Sequence, residues 1–260
     1  MNERWNRKAQ VTIFIIIAIV IVAGALLVYS FFPQIQTTFG GGEVTPQTFI
    51  QTCIEKDIQN AVDKLSLQGG SITPENYLLY KDIPVEYLCY TNEYYATCNV
   101  QQPNLALHIE SEIKNEINNV VDACFNSLQE SYEGKGYSVD MKSGEKIIEL
   151  LPKRIAATFD YSVTLTKGGD VQNYDSFIVL LNNNLYELTS IANSIVEWET
   201  TYGDAETSTY MTYYHDLKVE KILRDSGTKV YIITDRNTDS QFQFASRSQV
   251  WPAGYVKPTI

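Results

Sequence analysis

Proton transfer near neutral pH falls to histidine first, and this 260-residue chain has two, His108 and His215. His215 precedes Asp216, a pair of residue types in which a carboxylate can orient an imidazole base. A catalytic triad needs that pairing across space, which adjacency along the chain does not supply. His108 falls between apolar positions at helical spacing and reads as a structural side chain. Asp235-Arg236-Asn237-Thr238-Asp239 begins as a calcium loop does, with oxygen ligands at alternate positions. Ser240 stands at the sixth position, where such loops need glycine, and Ser246 at the twelfth, where they carry glutamate. A polar hairpin turn accounts for the same residues. No Gly-x-Ser-x-Gly elbow, phosphate-binding loop or His-Glu-x-x-His helix occurs. No residue is therefore assigned to catalysis, and neither a metal site nor a cofactor is expected. A surface hydrolase built on scattered carboxylates or a metal is the remaining enzymatic alternative.

Four cysteines, Cys53, Cys89, Cys98 and Cys124, lie in the body of the chain. Three pairings are possible. Leu88-Cys89-Tyr90 and Thr97-Cys98-Asn99 read as two arms of a short hairpin, which favours Cys89 with Cys98. Cys53 and Cys124, each on the apolar stripe of an expected helix, are then left to staple those helices together. The chain lacks Cys-x-x-Cys, and His108 has no histidine partner at ligand spacing, so disulfides are expected over zinc or a redox pair.

Tyrosine is the compositional outlier, with 18 residues. Tyr77, Tyr80, Tyr87, Tyr90, Tyr94 and Tyr95 form one group, and Tyr210, Tyr213 and Tyr214 another. Tyrosine offers wide amphipathic contact area at low entropy cost, so these nine residues are the candidate binding surface. The competing reading is strand propensity on a partly exposed sheet.

The elements that must position these groups follow from periodicity. Thr45-Pro46 opens a helix carrying Phe49, Ile50, Cys53, Ile54, Ile58, Ala61, Val62 and Leu65, and Gly69-Gly70 stops it. Residues 71–103 read as short strands and turns. A second helix follows Pro103, with Ile109, Ile113, Ile117, Val120, Val121, Cys124 and Leu128 on one face. Tyr137 to Met141 and Ile155 to Thr166 alternate as strands do, and Lys167-Gly168-Gly169-Asp170 turns the chain towards residues 174–181. A third helix carries Leu185, Leu188, Ile191, Ala192, Ile195 and Trp198. Leu217 to Arg224 and Lys229 to Thr234 form a hairpin about Asp225-Ser226-Gly227, and Gln241 to Gln249 adds a strand. This order predicts an α+β fold of antiparallel strands and three main helices, disulfide-stabilised, over residues 46–260, with a subdomain break near 133.

Ahead of that domain, Val11 to Phe32 is an uncharged, apolar run. Its 22 residues would make a helix of roughly 33 Å, enough to cross a bilayer core of about 30 Å. A cleaved secretory signal would be shorter and would end in small residues, whereas this run ends Tyr29-Ser30-Phe31-Phe32-Pro33. Residues 1–10 form a basic head with Arg4, Arg7 and Lys8 against Glu3, and residues 33–45 form a Pro/Gly neck through Pro33 and Gly40-Gly41-Gly42. Positive residues stay on the cytoplasmic side, so the N-terminus is expected inside and the bulk of the chain outside a cell membrane crossed once. Subtracting the head's three basic residues and one acid from the chain's 20 and 31 leaves 17 against 30, a net of −13. Such a surface repels nucleic acid and anionic lipid headgroups. No Asn-x-Ser/Thr acceptor is present, so N-glycans are not expected.

Arg7-Lys8-Ala9-Gln10-Val11-Thr12-Ile13-Phe14 resembles the class III signal of archaeal type IV pilin-like proteins. The resemblance implies cleavage between Ala9 and Gln10 on the cytoplasmic side, with the apolar helix retained. Phe14 occupies the fifth position after that cut, where many pilins carry glutamate, and the neck replaces their continuous stalk. The whole layout resembles single-span surface proteins of archaea, a group that implies no activity. The expected role is structural or partner-binding at the cell surface: the bilayer is engaged through Val11 to Phe32, the outer domain engages a surface or envelope partner, and nucleic acid is not a partner. A pilin-like filament subunit processed before Gln10 is the alternative.

Overall fold

The computed structural model describes residues 44–250. The expected cut between Ala9 and Gln10, the apolar run Val11 to Phe32 and nearly all of the neck lie outside the described residues. Among the described residues no helix is long and apolar enough to cross a membrane.

Helix α1 (Pro46–Leu67) buries Ile50, Ile54, Ile58, Ala61, Val62 and Leu65, one stripe at three- and four-residue spacing. Helix α2 (Leu105–Gly134) does the same with Leu105, Ile109, Ile113, Ile117, Val121, Cys124, Phe125, Leu128 and Tyr132. The two stripes face each other and share one core. Cys53 and Cys124 bridge these helices, and a second disulfide joins Cys89 to Cys98. Both pairings match the expectation from the sequence.

Between α2 and α3 (Leu185–Tyr202) the chain runs through six strands: β4 (Ser138–Lys142), β5 (Lys146–Leu151), β6 (Arg154–Phe159), β7 (Ser162–Lys167), β8 (Asp170–Tyr174) and β9 (Phe177–Asn182). They pair in the orders β4-β7-β8 and β5-β6-β9. Because β4 runs into β5, β6 into β7 and β8 into β9, the two sheets are successive halves of one bent three-stranded meander. The register slips by one residue at the bend, from Lys142 opposite Ser162 to Lys146 opposite Phe159. One extra residue on one strand curls the sheet sharply there. Gly144 sits at this bend, where an added Cβ would stand 1.9 Å from the Asp160 carbonyl oxygen. The meander folds around Phe125 of α2, whose ring stacks on Tyr161 and meets Phe159 and Phe177 edge-on. Its edge strand β9 is closed off by side chains of α1. Gln47 and Gln51 donate to the carbonyl oxygens of Ile178 and Leu180 at 2.6 and 3.3 Å.

The larger sheet takes strands from both ends of the described chain. Its order is β1-β2-β12-β11-β10, built from β1 (Tyr77–Tyr80), β2 (Ile83–Tyr90), β12 (Gln241–Arg247), β11 (Thr228–Asp235) and β10 (Leu217–Leu223), with the short β3 (Asn99–Val100) also on β2. The strand pairs are antiparallel except β12 beside β2, which is parallel and so departs from the expected all-antiparallel arrangement. A parallel pair needs no hairpin, so it escapes local pattern reading. Tyr231, Ile233, Phe242 and Phe244 belong to the core beneath the helices. Val230, Ile232 and Ala245 join Tyr80, Val85 and Tyr87 in a smaller cluster. Central strand β11 is therefore apolar on alternate and intervening residues alike. The α+β class is as expected, with one more helix among the described residues, α4 (Thr207–Tyr213).

Candidate functional site

The inward line of α3 is Leu185, Leu188, Ala192, Ile195, Val196 and Glu199. That line turns Ser194, Trp198 and Tyr202 outward on a neighbouring line of the same helix. Trp198 was expected on the apolar stripe, but it lies one position before Glu199, about 100° around the helix, and 44% of it is exposed. Trp198 and Tyr202, four residues apart, stand with ring centroids 5.0 Å from each other.

Helix α3 stops at Gly203, whose φ of 74° is the left-handed conformation that caps a helix, and its N–H donates to the Glu199 carbonyl. An added Cβ there would also strike Val250. The chain then reverses through Asp204 and Ala205 into α4. Glu206 caps that helix, its side chain accepting from the Ser208 N–H at 3.1 Å. Hydrogen bonds from the Ser208 backbone and side chain hold the Glu206 carboxyl below the usual carboxylate range. On α4, Tyr210 points inward and is buried, its pKa raised by that burial, while Tyr213 and Tyr214 remain 76% and 55% exposed.

These two helices enclose a groove of about 390 Å³ lined by Ser194, Trp198, Glu206, Thr209, Tyr210, Tyr213 and Tyr214. All three tyrosines of the second sequence cluster line it. Tyr210 and Ser194 form its floor, their hydroxyls 2.9 Å apart. Trp198 and the exposed tyrosines supply aromatic rings, and Glu206 supplies one carboxylate.

Directly behind the end of α3 lies a closed polar network. Lys229 donates to both oxygens of Glu199 at 2.7 and 2.8 Å and to the Gly203 carbonyl at 2.5 Å. The Tyr231 hydroxyl donates to the same carboxylate, and Ser248 Oγ donates at 3.1 Å. Burial and the adjacent Glu199 charge push the Tyr231 phenol well above its ordinary value. These bonds join the end of α3 to β11 and to the segment after β12, and so fix the α3–α4 turn onto the sheet.

The first tyrosine cluster splits, with Tyr80, Tyr87 and Tyr90 in one packed group in which the Tyr87 and Tyr90 ring centroids are 4.9 Å apart. Tyr80 and Tyr87 are buried, and Tyr90 lies under the Arg247 guanidinium at 5.4 Å. Tyr77, Tyr94 and Tyr95 are exposed at the surface. His108 accepts or donates at 2.7 Å to Ser71 Oγ, which in turn donates to Glu86. The hydroxyl lies between imidazole and carboxylate here, whereas a triad places the imidazole in the middle. His215 is exposed, and its carbonyl accepts from Arg236. The Asp235 carboxylate is occupied by N–H donors, namely the backbones of Asn237 and Thr238 and the side chain of Asn184. That is an Asx-type turn at the foot of a hairpin. Among the described residues no group of three or more His, Cys, Asp or Glu is placed to hold a metal.

Sequence reading missed Trp198, Glu206 and Ser194 as partners of the tyrosines. The available signal was the four-residue spacing of Ser194, Trp198 and Tyr202 just before a glycine stop. No family model matches the chain, and neither a curated protein nor a solved structure matches it.

Proposed function

We propose that the chain is a membrane-anchored cell-surface protein with a structural or partner-binding role, and that the α3–α4 groove is its docking face. The observation that carries this reading is the convergence of Trp198, Tyr213 and Tyr214 on one concave surface held by the Tyr210–Ser194 bond. Exposed rings cost free energy in water, and rigid aromatic side chains repay it when a partner covers them. Two disulfides suit an oxidising exterior, and the apolar run Val11 to Phe32 supports an anchor with the acidic domain outside. The fold supplies the frame, and the neck supplies reach from the membrane.

A photo-crosslinking residue at position 213 of the full chain, expressed in its native cells, tests the reading. The expected result is a discrete adduct that disappears in the Trp198→Ala background and is absent when the probe replaces Glu130 on the exposed side of α2. The same adducts from both positions, or none from 213, would remove the groove from consideration.

A further inference from the structure

We propose that the α3–α4 groove recognises a basic side chain, arginine before lysine, on a segment of its partner protein. This rests on the docking reading above and adds the chemistry of what docks. The ring faces of Trp198, Tyr213 and Tyr214 carry the negative end of the aromatic quadrupole, which attracts a cation lying over them. Among the described residues Glu206 is the one charged side chain that lines the groove, and no basic residue does. Lys221 is the cation that acts on Glu206, and it is already satisfied by both Asp204 oxygens at 2.9 and 3.0 Å and by the Ala205 carbonyl. Glu197 adds negative charge on the Tyr210 side. The wider field has the same sign, because the chain beyond the span carries 17 basic residues against 30 acidic ones.

An anionic ligand meets repulsion from the ring faces, from Glu206 and Glu197 and from the wider field. A neutral sugar would stack on the rings and donate its hydroxyls to Glu206, but it would gain nothing from the wider field. Arginine gains from both, since its planar guanidinium stacks on an aromatic face and donates to a carboxylate in the same plane. The groove is open to solvent, so the guanidinium would be only partly desolvated, and stacking there is worth more than at a fully exposed site.

Isothermal titration of the full chain in detergent micelles, with the acetylated peptide amide Gly-Ser-Arg-Ser-Gly and its citrulline counterpart, tests the inference. Citrulline keeps the shape and removes the charge. The arginine peptide should bind about tenfold more tightly. Trp198→Ala and Tyr213→Ala leave the net charge unchanged and should each weaken the arginine peptide by about fivefold, and Glu206→Gln by a similar factor. Equal affinity for the two peptides, or no binding of the arginine peptide at millimolar concentration, would overturn the inference. An arginine preference unaltered by Trp198→Ala and Tyr213→Ala would overturn it too, because the attraction would then be diffuse. So would tighter binding of chitohexaose than of the arginine peptide. An adduct from position 213 with no charge preference would leave docking standing and the cation reading refuted.

Discussion

The Tyr210 hydroxyl stands 2.9 Å from Ser194 Oγ, so the inner side of α4 is bonded to the outer side of α3. This contact sets the depth of the groove, since Tyr213 and Tyr214 follow Tyr210 within one turn. Tyr210→Phe keeps the ring and removes the bond. It should cost about 1 kcal/mol in urea unfolding and weaken ligand binding in the groove without abolishing it. Tyr210→Ala should cost about 3 kcal/mol and abolish binding, because the buried ring is the floor.

Lys229 and Glu199 form a fully enclosed pair whose carboxylate also receives Tyr231 and Ser248. Removing one partner strands the other charge. Lys229→Met should destabilise the protein by about 3–5 kcal/mol, and adding Glu199→Gln to it should recover much of that loss. A double-mutant cycle by chemical denaturation reads the coupling.

The two disulfides close loops of different length, 71 residues for Cys53–Cys124 and 9 for Cys89–Cys98. In the chain-entropy treatment these are worth about 4.4 and about 2.6 kcal/mol. Cys53→Ala with Cys124→Ala should therefore lower the unfolding midpoint more than Cys89→Ala with Cys98→Ala. Thermal melts of the two double variants give the order directly.

Burial raises the Glu86 pKa above its ordinary 4.5, against the hydrogen bonds of Ser71 and Gln102 and the pull of His108, with Glu112 adding to the rise. A carboxyl raised by folding holds its proton more tightly in the native state. Its contribution to stability is complete below about pH 4.5 and is lost as pH rises through the higher folded value. Glu86→Gln should accordingly gain stability relative to the parent as pH increases from 4.5 towards neutrality. Asp122, lowered chiefly by the Lys146 and Tyr161 hydrogen bonds, works in the opposite sense, losing its contribution as pH falls through its depressed value. Urea midpoints of parent and Glu86→Gln from pH 4.5 upward read the first effect, and those of parent and Asp122→Asn below pH 3.8 read the second.

Much of the frame was legible because it is local. The stripes of α1 and α2 repeat at helical spacing, and the hairpin at Asp225-Ser226-Gly227 carries its own turn residues. Both cysteine pairings could be read because Cys53 and Cys124 sit on helical stripes and Cys89 and Cys98 flank one short β2–β3 connection. What escaped was set by distance or by weak patterning. Strand β8, Asp-Val-Gln-Asn-Tyr, is mostly exposed and has no apolar alternation to announce it. Strand β5 begins with the apolar pair Ile147-Ile148 and reads as neither period. Helix α4 is seven residues long and buries Tyr210 alone, so its tyrosines looked like a strand or a surface cluster. The groove itself depends on a glycine stop that reverses the chain, and periodicity carries no information about which outward faces such a reversal brings together. The split among the tyrosines near 77–95 follows from the same cause, since strand alternation in β1 and β2 sends Tyr80 and Tyr87 inward and Tyr77 outward.

Hydrogen exchange of the full chain in its native envelope membranes, compared with the purified chain in detergent, bears most directly on the claim that the α3–α4 groove is a partner-binding face. The expected result is added protection in the membranes confined to residues 194–214, with α1, α2 and the meander unchanged. Equal protection of residues 194–214 in the two preparations would contradict it.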